Sequence, residues 1–362
     1  MIESYINNSF CLIDAKHVVS MENYHKIISD ILSGFEVFLK ETHLIEAFPK
    51  YSVRLICAFD KSSSALLLKN ELHLIINRYF VQSLNNLNKI FFHNLGEQQN
   101  NLPMFTYIFR LMKEQAYVSG FPEYAIFLEQ FIKLKLNSEV ELVWKSPENK
   151  SHGNLTPIHE AFIVAHEVVH LLVSEGLLAI DFKNRDNTLN TLYSLIINRK
   201  DNLDPKIDRL ISNLKSVDDA DFDEELFCDR IAFEFVLKYF AKVYTYSEIH
   251  AAVRIFHMHM RVLEVFSSAF AVKPELLLED STFSPPLMVR NWSRSLQADL
   301  ISSEDSDQVH DSMKLWMDYN EIHHNKITQV VLNTIKRKNN IIRTASLEFD
   351  LLTRKFGINV AH

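Results

Sequence analysis

Residues 159–176 read HEAFIVAHEVVHLLVSEG. Without His166, Glu167 and His170 this is the pattern of an apolar, buried helix. Thr156 suits the N-cap and Pro157 the first turn, where its missing N–H costs nothing. Gly176 suits the C′ position that ends such a helix. The segment between them holds about 19 residues and spans roughly 28 Å. HEVVH therefore falls near the middle of a long helix, where the backbone is most rigid.

Residues four apart lie above one another on a helix. His166 and His170 can thus aim two imidazoles at a single metal ion, with Glu167 beside them. Zinc accepts neutral His nitrogens and, with three protein ligands, leaves a fourth position for a water of lowered pKa. In that setting Glu167 is the general base that takes the water's proton. The flanking AFIVA and LLV imply a largely buried face, on which unpaired His and Glu side chains would cost several kcal/mol. One zinc ion per chain satisfies all three.

A zinc site of this kind needs one more ligand. The HExxHxxGxxH continuation is absent, since Leu171 to Ser174 follow His170. Glu175 lies too close to the helix end to reach the ion. A carboxylate from a second helix remains, and residues 221–240, DFDEELFCDRIAFEFVLKYF, offer one. Asp221 reads as that helix's cap with Glu224 as its capping-box partner, and Asp223 and Glu224 read as helix-start charges. Glu225 and Asp229 are four apart and share a face that Ala232 and Val236 extend. Glu225 is the expected third ligand. Asp229 is expected to accept the second N–H of a ligand His and fix its tautomer.

HEVVH followed by DEELFCDRIAFEFVL resembles the gluzincin metallopeptidases, whose second motif is usually written DExxAD. Within that group it is similar to the helical intracellular members, including ImmA/IrrE-like peptidases and the phage-exclusion peptidase Lit. The likeness covers two helices, roughly residues 157–240. It implies zinc at His166, His170 and Glu225, Glu167 as base and Asp229 in support. Cys228 stands where the family has Ala and reads as a small buried hydrophobe. Such peptidases carry a Thr-His-Pro segment followed by Arg. Here STFSPPLMVR at 281–290 keeps the prolines and Arg290 but has Ser284 in place of the His. Arg290 and His257 are the candidate transition-state or structural partners. The resemblance further implies a narrow intracellular protein substrate, in phage defence or stress regulation.

The rest of the chain sets bounds. It has 362 residues, 6 Gly and 9 Pro, which favours long helices over many short strands. A net charge of -8 argues against a nucleic-acid partner, because phosphate contacts need a basic face. Three widely spaced cysteines and no CxxC pair point away from a disulfide framework. No signal peptide or membrane span is legible, so a cytoplasmic protein is expected. Neither a phosphate-cradling Gly-rich loop nor a GxSxG elbow occurs. His159-Glu160 reads as a polar first turn, and the histidines of HMHM at 257–260 as satisfied helix residues.

Upstream, 20–40 has helical periodicity, SVRLICAF at 52–59 reads as a strand, and ALLLK and LHLII flank a turn at Asn70-Glu71. EVELVW at 139–144 reads as a further strand. The polar passage from Asp181 to Ala220 is a candidate gating or specificity segment. The expected fold is α+β and predominantly α-helical, with zincin-like active-site helices and a small N-terminal sheet. The expected domains are 1–145 (sheet, substrate or partner surface), 146–300 (catalytic helical core) and 301–362 (helical extension). A regulatory partner would bind through either terminal region. An extended peptide substrate would lie along an edge supplied by SVRLICAF, LHLII or EVELVW. The rival reading is a catalytically inactive zincin-like scaffold or binding module with structural zinc. The intact Glu167 argues against it.

Overall fold

The computed structural model describes residues 2–10, 12, 21–59, 63–96, 102–118, 120–135, 155–180 and 220–269. EVELVW, the 181–219 passage and the segment carrying Ser284 and Arg290 lie outside these residues. The described chain runs α1 (Ile2–Ser9), α2 (Met21–Glu41), β1 (Lys50–Ile56), β2 (Ser64–Leu68), β3 (Glu71–Asn77), α3 (Arg78–Gly96), α4 (Leu102–Val118), α5 (Pro122–Lys135), α6 (Leu155–Ser174), α7 (Ala220–Phe240) and α8 (Tyr246–Ala269). The fold is predominantly helical α+β with one small three-stranded sheet. The chain divides into two compact units. Met1–Asn88 and Ser151–His259 belong to the first, so the N-terminal sheet shares a unit with the HEVVH helix; Lys89–Lys150 belongs to the second.

The sheet order is β1-β3-β2, with β1 parallel and β2 antiparallel to β3. The central strand is β3, ELHLIIN, and its Leu72, Leu74, Ile75 and Ile76 are all buried. A near-continuous apolar run is what a strand covered on both faces requires. LHLII is therefore an interior strand and supplies no free edge; β1 and β2 are the edges. Leu68 pairs with Glu71, so the hairpin loop is Lys69-Asn70, one residue earlier than the sequence suggested. Both loop residues have positive φ, 52° and 63°, the type I′ geometry whose twist matches the strands.

Asn77 ends β3 and starts α3. Its side-chain amide donates to Ala58 O at 3.0 Å, while Oδ1 accepts from the backbone N–H groups of Ala58 and Tyr79, both at 3.1 Å. One buried amide thus closes the turn after β1 and caps a helix.

Around the sheet, α2 packs on β1, and α6 packs against β2, β3, α2 and α7. Aromatic rings bind α2 to α7: Phe35 and Phe38 lie 5.0 and 5.7 Å from Phe235, centroid to centroid. Gly34 lets the helices close, since a Cβ there would meet Tyr239 Cε2 at 2.4 Å. In the second unit α4 and α5 pack together through Leu111, Met112, Leu128 and Ile132, with Lys113 paired to Glu129 at 2.5 Å.

The HEVVH helix is buried along almost its whole length. It ends in a Schellman motif: Leu177 N–H donates to Leu172 O at 2.8 Å and Gly176 N–H to Val173 O at 3.0 Å, with Gly176 at φ 68°. Its start differs from the expectation. The helix begins at Leu155, and the Thr156 hydroxyl donates to Asn85 Oδ1 at 3.0 Å instead of capping. Likewise α7 is already helical at Ala220, one residue ahead of the expected cap Asp221. A capping box does occur at the head of α8, where Thr245 and Glu248 bond reciprocally through side chain and backbone.

His159 and Glu160, expected as a polar first turn, are buried and lie one turn into the helix that begins at Leu155. His159 Nε2–H donates to Ala252 O at 2.8 Å, Asn88 Nδ2 lies 3.4 Å from His159 Nδ1, and His259 Nε2–H donates to Asn88 Oδ1 at 2.8 Å. This chain of amide and imidazoles fixes each tautomer and ties α3, α6 and α8 together. Glu160 sits 3.7 Å from Arg78 Nη1, whose guanidinium stacks 3.4 Å over the Tyr24 ring. Burial pushes the Glu160 carboxyl up to about 7, with Arg78 working against it.

Burial lowers His159 to about 4 from the ordinary 6.5. A proton taken up below pH 6.5 therefore binds the unfolded chain first, and stability falls on acidification from about 6.5 to 4. The full loss is about 3 kcal/mol, at 1.36 kcal/mol per pKa unit. Urea midpoints measured across that window should drop for wild type and drop less steeply for His159→Gln, even though that variant is weaker at pH 7.5. Equal slopes would remove His159 from the account.

Candidate metal centre

Along α6 the partly exposed positions after the first turn are His166, Glu167, His170 and Val173, with Ser174 exposed beyond them. Their spacing of one, three and three residues describes a single stripe. The face of HEVVH is thus the one side of the helix that is not sealed, while Ala165, Val168, Val169 and Leu172 fill the core behind it. That is a refinement of the sequence expectation, which placed the motif on a buried face.

Opposite the stripe lies α7, the element most closely packed on α6. Small or apolar Cys228, Ala232 and Val236 are fully buried and let the two backbones approach. The result is a convergence of donors. His166 Nε2 and His170 Nε2 face each other at 3.0 Å. Glu225 completes the triangle, with Oε2 3.5 Å from His166 Nε2 and Oε1 3.3 Å from His170 Nε2. These three residues form a group able to hold a metal ion, their donor atoms all within 4.8 Å of one another.

The far side of each ring is backed by a carboxylate. His166 Nδ1 lies 3.0 Å from Asp229 Oδ1, at ion-pair distance but with the ring not aimed well enough for a formed hydrogen bond. His170 Nδ1 lies 2.6 Å from Glu224 Oε1. Metal-binding imidazoles characteristically hand their second nitrogen to such a group, which sets tautomer and ring orientation. Glu224 is the member that sequence reasoning missed. It reads as a helix-start charge, yet in a helix that begins at Ala220 it sits in the second turn and reaches His170.

His257 belongs to the other side of Asp229. Its Nε2 lies 3.9 Å from Asp229 Oδ2, its ring stands edge-on to Phe162 at 5.5 Å, and it is buried. That position suits holding Asp229 in place better than meeting a reacting group. Glu167 is half-buried on the same stripe as His166 and His170. Both described cysteines, Cys57 and Cys228, are free and buried.

Charge in the cluster favours cations. Burial works against a charged His170, but its hydrogen bonds with Cys228, Glu225 and Glu224 outweigh that, and the imidazole is pushed up to about 12. Burial holds the Cys228 thiol up at about 11, with His170 working against it. A cation bound at this ring would have to displace that proton, since a ligating imidazole is deprotonated.

No family model matches the chain, and no curated protein or solved structure matches it. No helix among the described residues is long and apolar enough to cross a membrane.

If Asp229 and Glu224 orient the two rings, Asp229→Asn and Glu224→Gln should each weaken divalent-cation affinity by about 10–100-fold with the circular dichroism spectrum unchanged. Titration against a competing chelator measures this. Wild-type affinity in either variant would show that its carboxylate is a bystander.

Proposed function

We propose that the chain is a zinc-dependent peptidase of the gluzincin type. The observation that carries this reading is the donor triangle of His166, His170 and Glu225. Zinc binds His nitrogen at about 2.0–2.1 Å and carboxylate oxygen at about 2.0–2.2 Å, which in a tetrahedral shell gives ligand–ligand edges of about 3.3–3.5 Å. The edges found here are 3.0, 3.3 and 3.5 Å. Two neutral imidazoles and one carboxylate also form a donor set suited to zinc, and one that leaves a coordination position open.

In that role zinc supplies Lewis-acid polarisation of a carbonyl and acidification of water. The chain's own residues do the rest. Glu167 takes a proton from the attacking water onto its carboxylate and returns it to the departing amine. Asp229 and Glu224 hold the ligand rings, and His257 steadies Asp229. The half-open stripe on α6 is the approach for substrate.

An extended peptide is best served by β2. It is an edge strand, unlike LHLII, and it packs against the HEVVH helix. Backbone pairing along SALLL would lay a peptide beside the metal ligands. The substrate on this reading is a protein segment that can adopt an extended form.

Metal analysis of the full chain should find at least about one zinc per molecule, with one equivalent lost in His166→Ala and in Glu225→Ala. Glu167→Gln should keep the zinc and cut turnover by about 10²–10⁴-fold, the usual contribution of a general base. Comparison of cellular proteins after expression of wild type and Glu167→Gln reads out the substrate as fragments seen only with wild type. The same fragments from both proteins would sink the catalytic assignment. Bound zinc with no fragments from either would leave a structural cation.

A further inference from the structure

A second group of donors adjoins the first. His170, Glu224 and Cys228 place one ligand atom each within 4.8 Å of one another, on the same two helices. Glu224 and Cys228 are four apart on α7, as Glu225 and Asp229 are, so the two pairs lie side by side along one turn. His170 stands between them. Its Nε2 faces His166 and Glu225, and its Nδ1 faces Glu224. The peptidase reading gives Cys228 no task, although its sulfur is a donor directly beside a metal-ligating ring.

We propose that His170, Glu224 and Cys228 form a second cation position, selective for a thiophilic divalent ion, that shares His170 with the first. The set differs chemically from its neighbour. A thiolate, an imidazole and one carboxylate prefer soft or borderline ions over magnesium or calcium. Cys228 is fully buried and Glu224 half-exposed, so the ion enters past the carboxylate and meets the sulfur at the back of the site. On binding, the thiol proton of Cys228 and the ring proton that His170 shares with Glu224 both leave to solvent and a sulfur–metal bond forms; no electron is transferred. The ion also takes the ring nitrogen that Glu224 otherwise holds. Occupancy of the second position therefore acts on the first through the shared imidazole.

This inference rests on the cluster described above but does not require peptidase activity. The test titrates cadmium into the metal-free full chain and follows the ultraviolet thiolate-to-cadmium charge-transfer band. Wild type should show a saturable band. Cys228→Ala and Cys228→Ser should both abolish it, with Cys11 and Cys57 still present, while keeping wild-type zinc at the first position. Glu224→Gln should shift the midpoint at least about 10-fold to higher cadmium. Glu225→Ala should lose the first-position zinc and keep the band. No band in wild type, a band surviving both Cys228 substitutions, or a midpoint indifferent to Glu224→Gln would each overturn the second position; the last would mean a lone thiol. Failure of the peptidase reading looks different: the band stays, and zinc or substrate fragments are missing.

Discussion

Everything at the centre depends on how closely α7 lies on α6. Two imidazoles on one helix can point the same way by periodicity alone, but a third donor must be brought to them from outside. Cys228, Ala232 and Val236 keep the contact face of α7 thin. The Phe35, Phe38 and Phe235 rings and the bare backbone at Gly34 clamp α7 onto α2 from behind. A bulkier residue at Ala232 would push Glu225 outward, and a shift of 1 Å is large compared with the tolerance of a metal shell.

The polar interior follows from the same packing. A helix buried on nearly all sides must find partners for every polar group it carries. On α6 three different solutions appear within four turns. His159 is tied into an amide–imidazole chain, Glu160 faces a guanidinium stacked on Tyr24, and His166 and His170 turn to carboxylates of α7. The first two are closed, His159 and Glu160 both finding their partners inside the protein. The third is open on one side. That contrast separates a group that holds the fold from a group that can take up something from outside.

Much of this was legible in the sequence where the signal was local. Period-3.6 patterning placed HEVVH on one face of one helix, and a spacing of four put Glu225 and Asp229 on another. The hairpin was visible to within one residue, and Gly176 as a helix stop is a matter of backbone φ. What escaped was set at a distance. Asn88 lies 71 residues from His159 in sequence and 171 from His259, and no local rule names it as their common partner. Glu224 was misread because its role depends on where α7 begins and how it crosses α6. The rank of LHLII as the middle strand likewise comes from pairing order, which a strand's own residues do not announce.

The two interleaved pairs on α7, Glu224 with Cys228 and Glu225 with Asp229, have a consequence for how this segment can change over time. Substitution alters one donor and leaves the rest in place. Insertion or deletion of a single residue between 225 and 228 is a different event, because it turns everything beyond it by about 100° about the helix axis. Asp229 would swing away from His166, and Cys228 away from His170, at one stroke. The segment is therefore locked in phase: tolerant in letters, intolerant in length, with the turn of helix between the pairs acting as a fixed spacer.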